Sequence, residues 1–453
     1  MAPGAAGPDR AGGAPVDLTV VGAGLAGSEA AWQAARRGLR VRLFEMRPVR
    51  RTPAHRGGGF AELVCSNSLR GADLTHAVGV LKEEMRRLGS LCMEAADATR
   101  IPGGAALAVD RDRFSAHVTA ALEGHPNIEI RREAVADIPE GPAVIATGPL
   151  TTPELAEPIA RLVGERSLAF YDAAAPIVTA ESLDTERLYW GSRYGKGAGD
   201  AYLNCPFTEA EYRRFWEALV AAEQAPREAF DPVPYFEGCL PVEEMARRGP
   251  DTLRFGPLKP VGLADPRTGR LPHAVAQLRG ENAEATLFNL VGFQTSLRWG
   301  EQRRVFRLIP GLEQAEFERY GVMHRNMFLC SPRCLRPTLQ SRARDDLWFA
   351  GQITGVEGYV ESAAAGLVAG VGAAALRAGL QPEAPPPESM IGALCRYVAA
   401  SSPEHFQPMN AAFGLLPPLR PEVRDRRRRR QALAERALGA IGRYGGGRTA
   451  GTA

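Results

Sequence analysis

The run Gly22-Ala23-Gly24-Leu25-Ala26-Gly27 is the part of this 453-residue chain whose residue types and spacing most directly imply chemistry. Its first glycine permits a tight turn. Gly24 lets backbone approach a pyrophosphate with no Cβ in the way, and Gly27 lets a helix sit close on the strand before it. A helix N-terminus offers unpaired N–H groups and a partial positive charge to phosphates. Glu45 follows 18 positions after Gly27, where a carboxylate can accept hydrogen bonds from ribose hydroxyls. A second kind of chemistry is open to thiols, at 65, 92, 205, 239, 330, 334 and 395. A thiolate attacks electrophilic carbon well and leaves again, although most cysteines in a large protein are small buried hydrophobes.

The elements needed to position the glycines are legible around them. Val16 to Val21 reads as a short buried strand, Ser28 to Arg37 as a helix ended by Gly38, and Val41 to Glu45 as a second strand. Strand, glycines, helix, strand and terminal acid in that order predict a nucleotide site far more specifically than the glycines alone. Two later segments favour FAD over NAD. Ala143 to Thr147 is a strand ending in Gly148, and Leu347 to Ala350 is another, leading through Gly351-Gln352-Ile-Thr-Gly355 into a small-residue helix from about Gly358. A flavin ring end uses such a second helix N-terminus, while two ordinary strand-to-helix connections are the plainer alternative.

Composition is that of an ordinary globular protein of two or three domains: 45% apolar, 24% charged, net charge +3. Net charge therefore does not announce a nucleic-acid binder. Lysine occurs only at 82, 196 and 259, and the remaining basic residues are arginines. GC-rich coding explains that bias; a phosphate-binding surface would share it. An odd cysteine number in a long chain argues against a disulfide framework. Cys330 and Cys334 have no companion pair or histidine cluster, so no metal site is expected. The cysteine usage suits a reducing, cytoplasmic setting. Ser362 to Leu376 falls short of the ~20 apolar residues of a membrane span and reads as a packed helix.

Between Tyr171 and Tyr320 the strand–helix alternation lapses, and Pro, Gly and aromatics become frequent. The spacing predicts a helix over Glu209 to Glu223, with Tyr212, Phe215, Trp216 and Leu219 on one core face. A Pro-rich turn or linker follows Leu380. Then comes Arg424-Asp-Arg-Arg-Arg-Arg-Arg430, a helical run to about Ile441 whose arginines form a solvated face or meet phosphates.

Four more segments carry a family resemblance: Phe60-Ala-Glu-Leu-Val-Cys-Ser-Asn-Ser-Leu-Arg70, Tyr235-Phe-Glu-Gly-Cys-Leu-Pro-Val-Glu243, Leu290-Val-Gly-Phe-Gln-Thr295 with Arg298-Trp-Gly-Glu-Gln302, and Gly351-Gln-Ile-Thr-Gly-Val-Glu-Gly-Tyr-Val-Glu361. With the glycine motif they resemble the methylenetetrahydrofolate- and FAD-dependent tRNA (uracil-5-)-methyltransferases, from about Val16 to Leu438. The two cysteine-bearing segments discriminate; the glycine motifs belong to a wider group of tRNA-modifying flavoproteins.

The resemblance implies an α/β fold. A Rossmann-like, glutathione-reductase-like FAD-binding domain (16–168 and 321–420) is interrupted by an inserted α+β substrate and tRNA domain (169–320). A disordered tail (1–15) precedes it, and a basic helical segment and tail (421–453) follow. It implies that FAD, reduced by NADH or NADPH, passes the one-carbon unit of 5,10-methylenetetrahydrofolate through flavin N5 to carbon 5 of the T-loop uridine at position 54 of tRNA. Reduced flavin then supplies the hydride that completes 5-methyluridine. It also implies that Cys239 is the nucleophile toward carbon 6 and that Cys65, the flavin-proximal thiol, acts as base or forms an adduct, with the division of roles open. Glu62, Glu237, Glu243 and Glu244 are candidates to hold a cysteine or the pterin, with an ordinary polar contact the plainer reading of each. His273 and His324 are candidates to meet the folate, and Lys259 and Arg298 its glutamate tail or tRNA phosphates. Gly57, Gly58 and Gly59 predict a loop that holds Cys65 loosely without ligands.

Rival readings are a related flavoprotein that modifies a wobble uridine, a small-molecule flavin oxidoreductase, and a non-catalytic tRNA-binding flavoprotein. No membrane partner is expected, and the oligomeric state is not legible.

Overall fold

Short β-branched and aliphatic runs buried on both faces make the first sheet, as expected for parallel strands covered by helices. The computed structural model describes residues 15–52, 54–164, 168–195, 201–225, 240–442 and 444. Five parallel strands lie in the order Leu347–Phe349, Ala143–Ile145, Leu18–Val21, Val41–Phe44, Ile128–Arg131. The helix Leu25–Ala35 begins directly after the first strand, three residues earlier than the sequence suggests, because Gly24 in extended conformation serves as its N-cap.

That helix packs on Tyr359–Arg377 almost backbone to backbone. A Cβ on Gly366 would fall 2.0 Å from the Ala26 carbonyl oxygen, and one on Gly370 would fall 2.5 Å from that of Ala30. The alanines and glycines of both helices are thus a packing requirement. Among the described residues Tyr359–Arg377 is the one helix long and apolar enough to cross a bilayer, and 72% of its apolar window is buried inside the protein.

The chain leaves this sheet after Ile145 and returns at Leu347. In between it builds a six-stranded antiparallel sheet, in the order Tyr189–Trp190, Leu203–Phe207, Ala274–Gly280, Leu287–Leu290, Ile177–Thr179, Phe317–Arg319. This second sheet has its own apolar core, in which Phe207, Phe215, Phe293 and Phe306 are almost fully buried. The helix Glu209–Ala221 covers it with Tyr212, Phe215 and Leu219, while Trp216 is only partly buried and donates its indole N–H to the Ala246 carbonyl at 3.0 Å. The antiparallel pair Leu168–Ala173 and Met323–Phe328 runs between the two sheets in sequence.

Near the C-terminus, Met390–Ala400 and Arg426–Ile441 are helices. The last is not a separate appendage. Leu433, Ala437, Leu438 and Ile441 join the same core as the nucleotide-motif helix, and Arg87 donates to the Leu438 carbonyl at 2.9 Å. Residues 1–14 and 445–453, expected to be tails, lie outside the described residues, as do Lys196, Glu237 and Cys239.

Candidate active site

The turn after the first strand is held by contact rather than by side chains. A Cβ on Gly27 would lie 1.7 Å from the Gly22 carbonyl oxygen, whereas one on Gly24 would meet nothing within 4 Å. Gly27 is therefore spent on packing, and Gly24 leaves space in front of a helix N-terminus. A cavity of about 490 Å³ opens there, lined by Gly22, Gly24, Leu25, Ala26 and Glu45 at one end. It continues past Gly148 and past Gly351 and Gln352 to Cys65, Ser66, Arg70 and Tyr359. Open space at Gly24 and an elongated cavity bounded by two helix N-termini fit FAD.

Three of the residues expected to bind the cofactor do not line this cavity. Ala23 is buried and acts through its N–H, Gly27 packs against Gly22, and Gly355 packs against Phe406. Glu45 also differs from expectation. Its Oε2 accepts from the Ala23 N–H at 2.9 Å and from Arg47 at 3.1 Å, and its Oε1 accepts from the Arg47 backbone at 3.0 Å and from Arg47 Nε at 2.9 Å. Burial opposes its charge, but the Arg47 hydrogen bonds outweigh burial and hold the carboxyl below its ordinary value. All four acceptor positions are engaged, so ribose hydroxyls would have to share them with Arg47.

Arg47 is fully buried and also donates to Glu62 at 3.0 Å. Glu62 in turn accepts from the backbone N–H groups of Arg56 at 2.8 Å and Gly57 at 3.0 Å. Arg132 donates to the Gly58 carbonyl at 2.7 Å, and the Phe60 N–H donates to Thr119 at 2.8 Å. The glycine loop before Cys65 is therefore tied down at both ends, contrary to expectation. Glu62 anchors that loop and also lines the cavity. His55, on the same loop, lines the cavity and pairs with Thr52 at 2.6 Å, and burial, followed by the Arg47 charge, lowers it to about 4.

Cys65 sits at the far end. Its sulfur lies 2.8 Å from the Tyr359 hydroxyl, and its N–H donates to the same oxygen at 2.7 Å. Burial, then the neighbouring Cys65, pushes the Tyr359 phenol well above its usual range, so it stays protonated. Two arginines brace the loop around the thiol. Arg111 donates to the Val64 carbonyl at 3.3 Å and pairs with Glu281 at 2.8 Å. Arg279, 5% exposed, donates to Asn67 at 2.8 Å and to Ser66 at 2.8 Å. Asn67 donates in turn to the carbonyls of Val109 at 3.0 Å and Gly280 at 2.9 Å. The end of the second sheet's central strand thus holds the Ser66–Asn67 side of Cys65 directly, and through Glu281 it steadies the Arg111 that holds the Val64 side. Arg319 is buried nearby, and burial, then the Arg111 charge, pulls it down to about 10, so it remains cationic.

None of Arg47, Arg111, Arg279, Glu281 or Arg319 stood out in the sequence, and Tyr359 lay within the Gly351–Glu361 segment with no role of its own. Their partners lie up to 294 positions away, and no local spacing marks them. Several expected ligands are structural. Glu243 is buried and accepts from Thr295 at 2.9 Å and from the Ser296 N–H at 2.7 Å. Glu244 accepts from Gln224 and from Arg247, the latter at 2.6 Å. His273 packs on Tyr212 with ring centres 5.2 Å apart, and Arg298 pairs with Glu223 at 2.8 Å. Lys259 is not among the cavity-lining residues. Cys239 and Glu237, and the side chain of His324, lie outside what is described. Cys92, Cys205 and Cys395 are fully buried in the cores, and burial pushes their thiols up.

The family described as glucose inhibited division protein A matches residues 17–381. The methylenetetrahydrofolate–tRNA-(uracil-5-)-methyltransferase TrmFO of Symbiobacterium thermophilum is 63% identical over 434 residues, 95% of this chain and 97% of that protein. The protein of the same name from Pelotomaculum thermopropionicum is 62% identical over 94% of this chain and 98% of its own length. Among solved structures, GidA of Aquifex aeolicus superimposes with a TM-score of 0.66 at 19% identity, over 94% of this chain and 73% of that chain; the likeness is one of fold.

Proposed function

This chain belongs to the glucose inhibited division protein A family and to its methylenetetrahydrofolate–tRNA-(uracil-5-)-methyltransferases, and from that premise we propose that its cavity holds FAD and that it methylates carbon 5 of a tRNA uridine. The one-carbon donor is 5,10-methylenetetrahydrofolate. The target is uridine 54 in the T-loop, the product is 5-methyluridine, and the reaction takes place in the cytoplasm. When bound, FAD reduced by NADH or NADPH supplies the relay for the carbon fragment and the hydride that completes the methyl group.

The single observation that carries this reading is the continuity of the cavity from the glycine motif to Cys65. Gly24 and the first helix N-terminus receive the pyrophosphate, and the second helix N-terminus, at Tyr359, faces the Cys65 end. Uracil carbon 5 is a poor nucleophile until a group adds to carbon 6. Thiolate addition by Cys239 makes carbon 5 electron-rich. After the new carbon–carbon bond forms, a base takes the carbon-5 proton as the carrier nitrogen leaves the transferred carbon, giving an exocyclic methylene; hydride addition to that methylene then expels the Cys239 thiolate and restores the ring double bond. In this reading Cys65 takes that proton. The Tyr359 hydroxyl fixes its sulfur, Arg111 holds the Val64 carbonyl before it, and Arg279 holds the Ser66 and Asn67 side chains after it.

Purified protein given methylene-folate, NADPH and unmodified tRNA is expected to yield 5-methyluridine by nucleoside mass spectrometry. Cys65→Ala and Cys239→Ala should each lose about 10²-fold or more of product formation while keeping the yellow FAD spectrum. Full turnover in both variants would reject the thiol roles, and product formed only with S-adenosylmethionine would reject the folate donor.

A further inference from the structure

We propose that the arginine-rich opening of the helix Arg426–Ile441 is the surface that docks the sugar–phosphate backbone of the tRNA; the proposal rests on the tRNA reading above. Residues 417–430 contain seven arginines and two acids. Arg424, Arg426, Arg427, Arg428 and Arg429 are all exposed, and none has an ion pair among the described residues. Asp425 is already used, because it caps the helix by accepting from the Arg428 N–H at 2.8 Å. Several other surface arginines meet carboxylates: Arg42 with Glu129 at 3.0 Å, Arg86 with Asp97 at 2.6 Å, Arg298 with Glu223 at 2.8 Å.

The arrangement is unfavourable in the free protein. Adjacent guanidiniums repel one another within the ~8 Å Debye length of physiological salt, and they sit at the helix end that already carries partial positive charge. An anion presenting repeated charges relieves both terms. The planar guanidinium fork matches phosphate oxygens, and a helix N-terminus adds its own N–H groups.

Position narrows the partner further. Arg430 lies over the Phe413 ring at 5.9 Å. Phe413 is three residues from Asn410, which lines the cavity, a span of at most about 10 Å of chain. Arg436 and Arg396 pin the intervening segment by donating to the carbonyls of Pro418 at 3.1 Å and Leu415 at 3.3 Å. The patch therefore lies on the order of 20 Å from the cavity-lining Asn410 by this chain path, within reach of the backbone that neighbours a base held in the cavity. An anionic membrane is the poorer fit. Interfacial helices bury an exposed apolar face, whereas here Leu433, Ala437, Leu438 and Ile441 are spent in the core, and no exposed large hydrophobic residue lies between 403 and 442.

The test uses the full-length FAD-loaded enzyme carrying R426Q, R427Q, R428Q and R429Q together. Glutamine keeps helix propensity, and retained FAD absorbance checks the fold. Binding of unmodified tRNA is followed by anisotropy from 50 to 200 mM KCl. The expected result is a loss of affinity of about tenfold or more at 100 mM. The slope of log K against log salt should fall by about one for each phosphate contact removed. The corresponding four-lysine variant should recover most of the slope, since it keeps the charge. Unchanged affinity and slope in the glutamine variant would overturn the proposal. So would loss of binding to phosphatidylserine vesicles with tRNA binding intact, which would assign the patch to a membrane. A wild-type enzyme that binds tRNA with the expected slope but forms no 5-methyluridine would instead sink the methyl-transfer reading, so the two failures are distinguishable.

Discussion

At the nucleotide end of the cavity the polar contacts come from neighbours in sequence: the Ala23 N–H, the Glu45 carboxylate and Arg47, within 25 residues. At the Cys65 end they come from Val64 to Asn67, Arg111, Arg279, Glu281 and Tyr359, spread over almost 300 residues and both sheets. The first end is shaped by backbone that tolerates no Cβ; the second is shaped by long side chains reaching across a junction. A backbone-built site forms once its strand–turn–helix unit forms. A braced site forms only when the whole chain is folded, which couples the reactive thiol to the integrity of the second sheet.

The largest expected effect lies at the backbone-built end. Gly27→Ala would press a methyl into the Gly22 carbonyl at 1.7 Å, and should cost about 3 kcal/mol or more in denaturant unfolding, with loss of FAD. Gly24→Ala is its control. With nothing within 4 Å of the new methyl, stability should change by about 1 kcal/mol at most, while FAD affinity falls by about tenfold or more because the pyrophosphate space is filled. Wild-type FAD affinity in Gly24→Ala would break the assignment of that space.

The braced end should behave differently. Arg279→Gln removes donors to Ser66 and Asn67 and should cost about 1 to 3 kcal/mol, yet leave FAD bound. Turnover should drop by roughly tenfold, as expected for a displaced catalytic group. The pH profile of Cys65 alkylation, read in a Cys239→Ala background, should shift, with Arg279→Lys intermediate. Loss of stability with an unmoved alkylation profile would make Arg279 purely structural, and the proposed coupling between the sheets would fail.

This contrast also explains what could be read from the sequence. The βαβ unit, the later strands at Ala143 and Leu347 and the buried small-residue helix were legible because short-range periodicity and glycine spacing encode them. Helix starts were misplaced by a few residues, because a capping glycine is indistinguishable from a loop glycine until the turn is seen. Glu45 was placed correctly at the strand end, but Arg47, two residues on, takes its hydrogen bonds, and nothing in a single sequence marks that arginine as fully buried. Glu243, by contrast, sits in a motif where it could hold a cysteine or the pterin, and it makes the plainer polar contact instead, tying a helix to Thr295 and Ser296. A carboxylate beside a motif has the same letter whether it faces a substrate or a hydroxyl of its own fold.

The smallest expected effect tests whether charge at the nucleotide end is as locally set as its geometry. Burial, and then Arg47, lower His55 from 6.5 to about 4, so the folded protein holds it neutral where the unfolded chain would protonate it. Between those values the unfolded state binds more protons. Stability therefore reaches its full value above pH 6.5 and is lost as pH falls toward 4. Discounted for partial exposure, the contribution is about 1 to 2 kcal/mol. His55→Gln should flatten that part of the stability–pH curve, measured by urea unfolding at saturating FAD from pH 4.5 to 7, and leave the curve above pH 7 almost unchanged. Because the Arg47 charge is the second cause, Arg47→Met should also reduce the slope, although the buried Glu45 left without its partner makes that variant less stable overall. A His55→Gln curve parallel to wild type would place the acid sensitivity elsewhere, in carboxylates such as Glu45 that the same arginine holds charged.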